Sequence, residues 1–190
     1  MPRPAFTTAR LRLRPLEPRD AKALHVCFGD PEAMRFWDSA PSRDVAQTKA
    51  RIGRNTTRHA AWAILSSDGK RFLGMINYHQ RQVWNRRLEV GYILARPHWR
   101  QGFMHEAMVT FLDYCFGALE SHRVEAIIEP ENAASRGLVE KLGFQAEGLM
   151  RDRLCVGGAY RSVIMYALLA EDWRARHPKP PAARAAKRRP

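Results

Sequence analysis

The stretch Leu88–Ala107, LEVGYILARPHWRQGFMHEA, constrains this chain more than any other. Leu88–Ala95 is rich in apolar and β-compatible residues and reads as a strand. Trp99, Arg100, Gln101 and Gly102 follow as a short loop. Helical periodicity then begins at once: Met104, Ala107, Met108, Phe111, Leu112 and Cys115 share one face, which must be buried. A strand that delivers a glycine-bearing loop to a helix start points free backbone N–H groups and the positive end of the helix dipole at one place. Phosphate-bearing ligands bind at such junctions. The remaining residues read as scaffold for this junction, or as the surface that selects a second substrate.

The order of elements around it is legible. Arg10–Leu16 alternates Arg with Leu, the period of a half-buried strand, and Pro15 sets it at an edge or at the end of pairing. Glu17-Pro18 starts a helix with the stripe Ala21, Leu24 and Phe28. A second helix, Asp44 to about His59, is polar and reads as a surface element. Trp62–Leu65 and Phe72–Tyr78 flank Asp68-Gly69, a hairpin signal. With Leu88–Ala95, beyond the polar connector Gln80–Arg87, they predict an antiparallel meander. The strand Val124–Glu129 follows the long helix, so one parallel crossover is expected there. A short helix, Ala133–Leu142, stops at Gly143, and Gly148–Cys155 with Tyr160–Leu169 flank the turn Gly157-Gly158.

Composition narrows the class. At 190 residues, 45% hydrophobic and 27% charged, one globular domain is expected over residues 1–173. No apolar run approaches the roughly 20 residues of a membrane span, and the start lacks a secretion signal. Cys27, Cys115 and Cys155 fit neither a disulfide framework nor a CxxC site. These features predict a cytoplasmic protein with no membrane association. Of the net charge of +13, about +7 belongs to residues 174–190, a Pro- and Ala-rich segment without acids. It reads as a disordered basic tail, either solubilising or making an electrostatic contact with RNA, a ribosome or another acidic partner.

Taken in sequence, TARLRLRPL, RLEVGYIL, HWRQGFMHEAM, EPENAASRGLVEKLGFQAEGLMRD and GGAYRSVIMYALLAEDW resemble the GCN5-related N-acetyltransferase (GNAT) superfamily, in its RimJ/RimL-like branch. The resemblance spans roughly Thr8–Trp173. It implies an α/β fold: a mixed, mostly antiparallel, twisted sheet of about seven strands with flanking helices. The sheet splays at its central parallel pair to admit acetyl-CoA. Trp99, Arg100, Gln101, Gly102, Phe103 and Met104 align with the family's pyrophosphate loop, [QR]-x-x-G-x-[GA]. Gly102 matches, Trp99 and Met104 depart from the general pattern, and Arg100 stands where many relatives have a second glycine. Arg100 either crowds the cofactor or adds a cation to it. Most contacts in such a loop are backbone N–H groups, so binding is expected to persist.

The resemblance also assigns roles. Backbone groups of Ile93 and Leu94 would extend the pantetheine arm like an added strand. Asn132 would hydrogen-bond that arm, and Ser135, the end of N-x-x-S, would protonate the departing thiolate. Helix capping is the alternative for both. Glu89 is the candidate base that takes a proton from the amine, its alternative being a surface ion pair with Arg86 or Arg87. Glu106 reads as a helix N-terminal charge. His79, His98 and His105 lack metal-ligand spacing, so no metal is expected. Direct transfer in a ternary complex is implied, to a protein N-terminal amine such as a ribosomal protein's, or to a polyamine, amino acid or antibiotic. A non-catalytic module binding acetyl-CoA or nucleic acid is the reading from another class. Relatives are commonly homodimers. Trp37, Trp62, Trp84 and Tyr92 are aromatics that either shape an acceptor pocket or fill the core.

Overall fold

The computed structural model describes residues 3–52 and 60–178. Eight strands form one sheet: β1 (Phe6–Thr7), β2 (Leu11–Pro15), β3 (Ala60–Ser66), β4 (Phe72–Gln82), β5 (Arg87–Leu94), β6 (Arg123–Ile128), β7 (Gln145–Val156) and β8 (Ala159–Leu169). Their spatial order is β1-β2-β3-β4-β5-β6-β8-β7, and only β5 and β6 run parallel. The expected mixed sheet is present, with the two-residue β1 as an addition.

Five helices cover it: α1 (Ala21–Phe28), α2 (Val45–Ile52), α3 (Phe103–Phe116), α4 (Ala133–Leu142) and α5 (Ala170–Arg176). The expected second helix is seen as far as Ile52, and residues 53–59 lie outside the described residues. Its face is less bare than its polarity implied: Thr48 and Ile52 are buried, and Thr48 Oγ1 meets His25 Nδ1 at 2.9 Å. α5 takes in Arg174–Arg176, the first residues of the basic segment, while 179–190 lie outside the described residues. No helix among the described residues is long and apolar enough to cross a membrane.

Strand alternation splits the core into two layers. Leu88, Val90 and Leu94 of β5 pack with Trp62, Met108, Phe111 and Leu112 on the α3 face. Trp62 and Phe111 meet edge to face at 5.1 Å, so Trp62 is core. Ile93 packs with Leu24, Phe28, Ala63 and Met75 on the α1 face. α5 is tied down by Trp173, whose Nε1–H donates to Asp113 Oδ1 at 2.9 Å.

Two irregularities flank β5. Its parallel pairing with β6 covers only Arg87–Glu89 against Arg123–Glu125. Beyond Glu89 the strands part, which is the expected splay. On its other side β5 pairs β4 with a bulge: the register shifts between His79 and Gln82, and Gln80 has φ +50°. The connector expected at Gln80–Arg87 is therefore half strand, with a tight tip at Val83–Arg86.

Candidate active site

The loop after β5 is built to leave its N–H groups free. Arg96–His98 form a single 3-10 turn, Arg100 and Gly102 both adopt the left-handed conformation (φ +58° and +77°), and α3 begins at Phe103. The N–H groups of Arg100 to His105 donate to no acceptor among the described residues. A helix start leaves its first donors unpaired, and successive residues of changing handedness are the arrangement that forms anion-binding nests. Arg100 thus occupies a conformation that glycine adopts without strain, the physical reason a glycine suits this place. Its side chain is exposed and is held by no described residue.

Polar contacts fix the loop's outer side. Glu106 accepts from Thr8 Oγ1 at 2.5 Å and from Arg10 N and Nε at 2.9 and 2.6 Å. Burial pushes its carboxyl up, but the Thr8 and Arg10 hydrogen bonds outweigh it and leave the pKa lowered. Glu106 is therefore a structural stitch at the helix start, as its position implied. Arg10 also donates to Gln101 O at 2.9 Å and stacks on Phe103 at 4.6 Å. Gln101 Nε2–H donates to Pro97 O, and Trp99 Nε1–H donates to Leu94 O at 2.8 Å. One carbonyl expected to meet a pantetheine arm thus already carries an indole. A recess of about 470 Å³ beside this loop brings Arg10, Gly102, His105 and Lys141 to one surface.

The splay has different chemistry on its two faces. On the α3 face, Tyr92 Oη and Ser135 Oγ are 2.6 Å apart. Burial pushes the Tyr92 hydroxyl up to about 12, against the Ser135 hydrogen bond. Asn132 caps α4: its Oδ1 accepts from Ser135 N–H at 3.2 Å. Asn132, Ser135 and Tyr92 are therefore one connected group, and the capping role exists alongside whatever else Asn132 does.

On the α1 face, the bulge sets His79 directly across from Glu89. His79 Nε2 lies 3.0 Å from Glu89 Oε1, with the Glu89 side chain 6% exposed and the His79 side chain 27%. Glu89 Oε2 makes no hydrogen bond among the described residues, and it is not sealed from solvent. The surface ion pair with Arg86 or Arg87 is not formed. Arg87 pairs with Glu125 instead, and Arg123 bridges Glu125 and Glu147. Arg86 donates to Glu120 O. Glu89 and Ser135 share no contact; they approach the splay from opposite faces of β5.

Sequence reasoning missed His79 and the Arg87–Glu125–Arg123 network. His79 was visible only as an isolated histidine, because a hairpin counted straight from the Gln82–Arg87 pair sets Gln80 against Glu89. Of the aromatics, Trp84 is 83% exposed at the β4–β5 tip, and Trp37 packs on Phe28 at 5.4 Å. Cys115 is buried on α3 and burial pushes its thiol well up, which suits packing and not nucleophilic chemistry. Among the described residues no three His, Cys, Asp or Glu side chains converge as metal ligands.

Known proteins agree with this architecture. The acetyltransferase (GNAT) domain family matches residues 10–145. N-acetyltransferase p20 of Bacillus licheniformis, itself uncharacterized, is 34% identical over 171 residues, covering 87% of this chain and 96% of p20. The likewise uncharacterized N-acetyltransferase YoaA of Bacillus subtilis (strain 168) is 31% identical over 171 residues, 87% of this chain and 97% of YoaA. The spermidine N-acetyltransferase of Vibrio cholerae, solved in complex with CoA and spermine, has a TM-score of 0.78 at 21% identity, covering 87% of this chain and 99% of that one. At that identity the likeness is one of fold. With strand order, splay and relatives in agreement, the chain belongs to the GNAT acetyltransferases and is an acyltransferase.

Proposed function

We propose that the protein transfers the acetyl group of acetyl-CoA directly to a primary amine, with Glu89 as the base and a protein N-terminus as the acceptor. The observation that carries the proposal is the state of Glu89. It is an acid at the point where β5 and β6 part, with one oxygen held by His79 and the other without a partner among the described residues and not sealed from solvent. A base fixed at one oxygen presents the other with little rotational freedom to lose.

The free N–H groups from Arg100 to His105 suit a pyrophosphate, and the basic side chains beside Gly102 suit the phosphates of a nucleotide. Ile93 and Leu94 pair with β4 but have no partner on the β6 side, where a pantetheine arm can take a strand's place, and Asn132 caps α4. Acetyl-CoA supplies a thioester carbonyl that an amine can attack. An ammonium acceptor must lose two protons. Glu89 Oε2 takes the first before attack, and the second passes to the departing thiolate. In this reading Ser135, whose hydroxyl meets that of Tyr92, hands that thiolate a proton. The sum is an amide, a free thiol and one proton released.

Proton cost favours a protein N-terminus. An α-amino group titrates near ~8 and an alkylamine near ~10, so freeing the amine at pH 7 costs about 1.4 kcal/mol for the first and about 4 kcal/mol for the second. The body's net charge of about +6 also opposes a polycation. The test is thiol release from acetyl-CoA over free-N-terminus peptides, N-blocked lysine peptides, spermidine, amino acids and aminoglycosides. The expected result is turnover with peptide N-termini, lost by at least about a hundredfold in Glu89→Gln. Turnover confined to spermidine or aminoglycosides would refute the acceptor. A Glu89→Gln enzyme with an unchanged pH–rate profile would refute the base.

A further inference from the structure

Asn77 sits beside the Glu89–His79 pair with a side chain that nothing uses. It is 5% exposed, lies across the strand pair from Gly91, and shares the α1 face with His79 and Glu89. Its amide makes no hydrogen bond among the described residues. Oδ1 is sealed from solvent, whereas Nδ2 is not. Oδ1 lies over Gly91: a Cβ built there would stand 2.7 Å from it, so this carbonyl occupies the space glycine leaves. The surrounding positions of the same face, Ala61, Ala63, Met75 and Ile93, are apolar. A leucine would suit that face, because a buried polar group without a partner costs stability.

From this geometry we infer that Asn77 is a binding residue for the acceptor, its side-chain carbonyl taking one N–H of the attacking amine and holding the nitrogen beside Glu89 Oε2. The inference deepens the proposed acetyl transfer and rests on it. A half-turn about the Asn77 terminal torsion, which is soft, exchanges the sealed and open ends of the amide and presents the carbonyl to the splay. An amine bound this way is held by two acceptors, one neutral and one charged. Only the carboxylate can remove its proton. The carbonyl fixes the direction of the lone pair that remains. The charged neighbours on this face do not compete for the amine. Arg87 and Arg123 are committed to Glu125 and Glu147, and His79 holds the other oxygen of Glu89.

The roles of Asn77 and Glu89 separate in steady-state kinetics, with the tripeptide Ala-Ala-Ala as acceptor and acetyl-CoA as donor. In Asn77→Leu the acceptor KM is expected to rise about tenfold or more, with the acetyl-CoA KM within twofold. Glu89→Gln is expected to lower kcat with the acceptor KM little changed. Melting temperature is the second readout. Removing an unpaired buried carbonyl should leave Asn77→Leu as stable as the parent or a few degrees more so. An acceptor KM within twofold of the parent would overturn the inference while leaving Glu89 as base. So would a melting temperature lower by several degrees, whatever the activity, because that marks Asn77 as a structural residue. If Glu89→Gln alone proves harmless, it is the base assignment that fails.

Discussion

Two glycines in the β4–β5 pair offer a measurement in which one substitution has opposite consequences. A Cβ at Gly74 would overlap the carbonyl oxygen of Ile93 and stand 2.8 Å from Leu94 Cα. Both are backbone atoms, so no rotamer relieves the overlap and β4 must move off β5. Overpacking of this kind costs typically ~1–3 kcal/mol, and a backbone clash belongs at or beyond the upper end. A Cβ at Gly91 crowds the far end of Asn77, at 2.7 Å, and meets His79 Cε1 at an ordinary 3.7 Å. Turning that side chain costs about 0.5–1.5 kcal/mol. Restricting the unfolded chain by replacing glycine returns ~0.4–1 kcal/mol, since Gly91 does not have positive φ. Gly91→Ala should therefore lie within about 1 kcal/mol of the parent, and Gly74→Ala about 3 kcal/mol below it. For a chain of 190 residues this is roughly 6–12 °C in melting temperature for Gly74→Ala. Urea denaturation of both variants, with the slope of the transition checked for constancy, measures the difference directly. Equal losses in the two variants would refute the argument, because they would mean that the Gly74 backbone contact is not the deciding one. The Gly91 variant should nonetheless lose acceptor affinity, since its new methyl pushes the Asn77 amide, whichever end faces Gly91, out of its place.

The loop between β5 and α3 predicts an asymmetry of its own. Arg100→Gly should keep acetyl-CoA affinity within about threefold, because backbone N–H groups carry the contact, and should melt no lower than the parent, as the left-handed strain is relieved; isothermal titration and a thermal melt check both. Glu106→Gln should destabilise near neutral pH and cease to differ from the parent in acid. A carboxyl whose folded pKa is lowered contributes stability above its unfolded value, near 4.5, and loses it as pH falls through the folded value. Denaturation midpoints from pH 7 down to 3 should therefore converge. In the Glu125 network, Arg123→Ala strips a largely buried carboxylate of one partner and Glu147 of its own, at about 2 kcal/mol. Arg87→Ala leaves Arg123 on Glu125 and should cost less in the same urea titration.

Much of this fold could be read from periodicity because its elements bury one face each. The α3 stripe from Met104 to Cys115, the hairpin at Asp68-Gly69 and the stop at Gly143 are local signals, and local physics kept them. The junction of β5, loop and α3 was legible for the same reason: Gly102 and a helix start are local signals. The acceptor side was not. Its geometry depends on which residue of β4 faces which residue of β5, and alternation alone gives two answers. One extra residue at Gln80 selects His79 over Gln80 as the neighbour of Glu89 and brings Asn77 into the same row. Likewise Arg87 looked like a partner for Glu89 because it is near in sequence. Glu125, on a strand reached only after α3, claims it first.

These irregularities share a physical logic. A strand pair in perfect register seals every backbone group and fixes every side chain to one face, which leaves no room for chemistry. β5 escapes this at three points. Its pairing with β6 stops at Glu89, freeing the edge that follows. A bulge in β4 re-aims His79 at the carboxylate. Left-handed residues at Arg100 and Gly102 break the chain's regular course before α3, where the N–H groups from Arg100 to His105 have no acceptor among the described residues. A non-glycine residue held at positive φ costs on the order of 1–2 kcal/mol. Gln80 and Arg100 persist because the layers on either face of β5 over-determine the backbone around them. Of the non-glycine residues at positive φ among the described residues, Gln80, Arg86 and Arg100 lie before or after the strand that carries Glu89, so the rigidity of the core is what holds Glu89, His79 and the loop before α3 in a fixed relation.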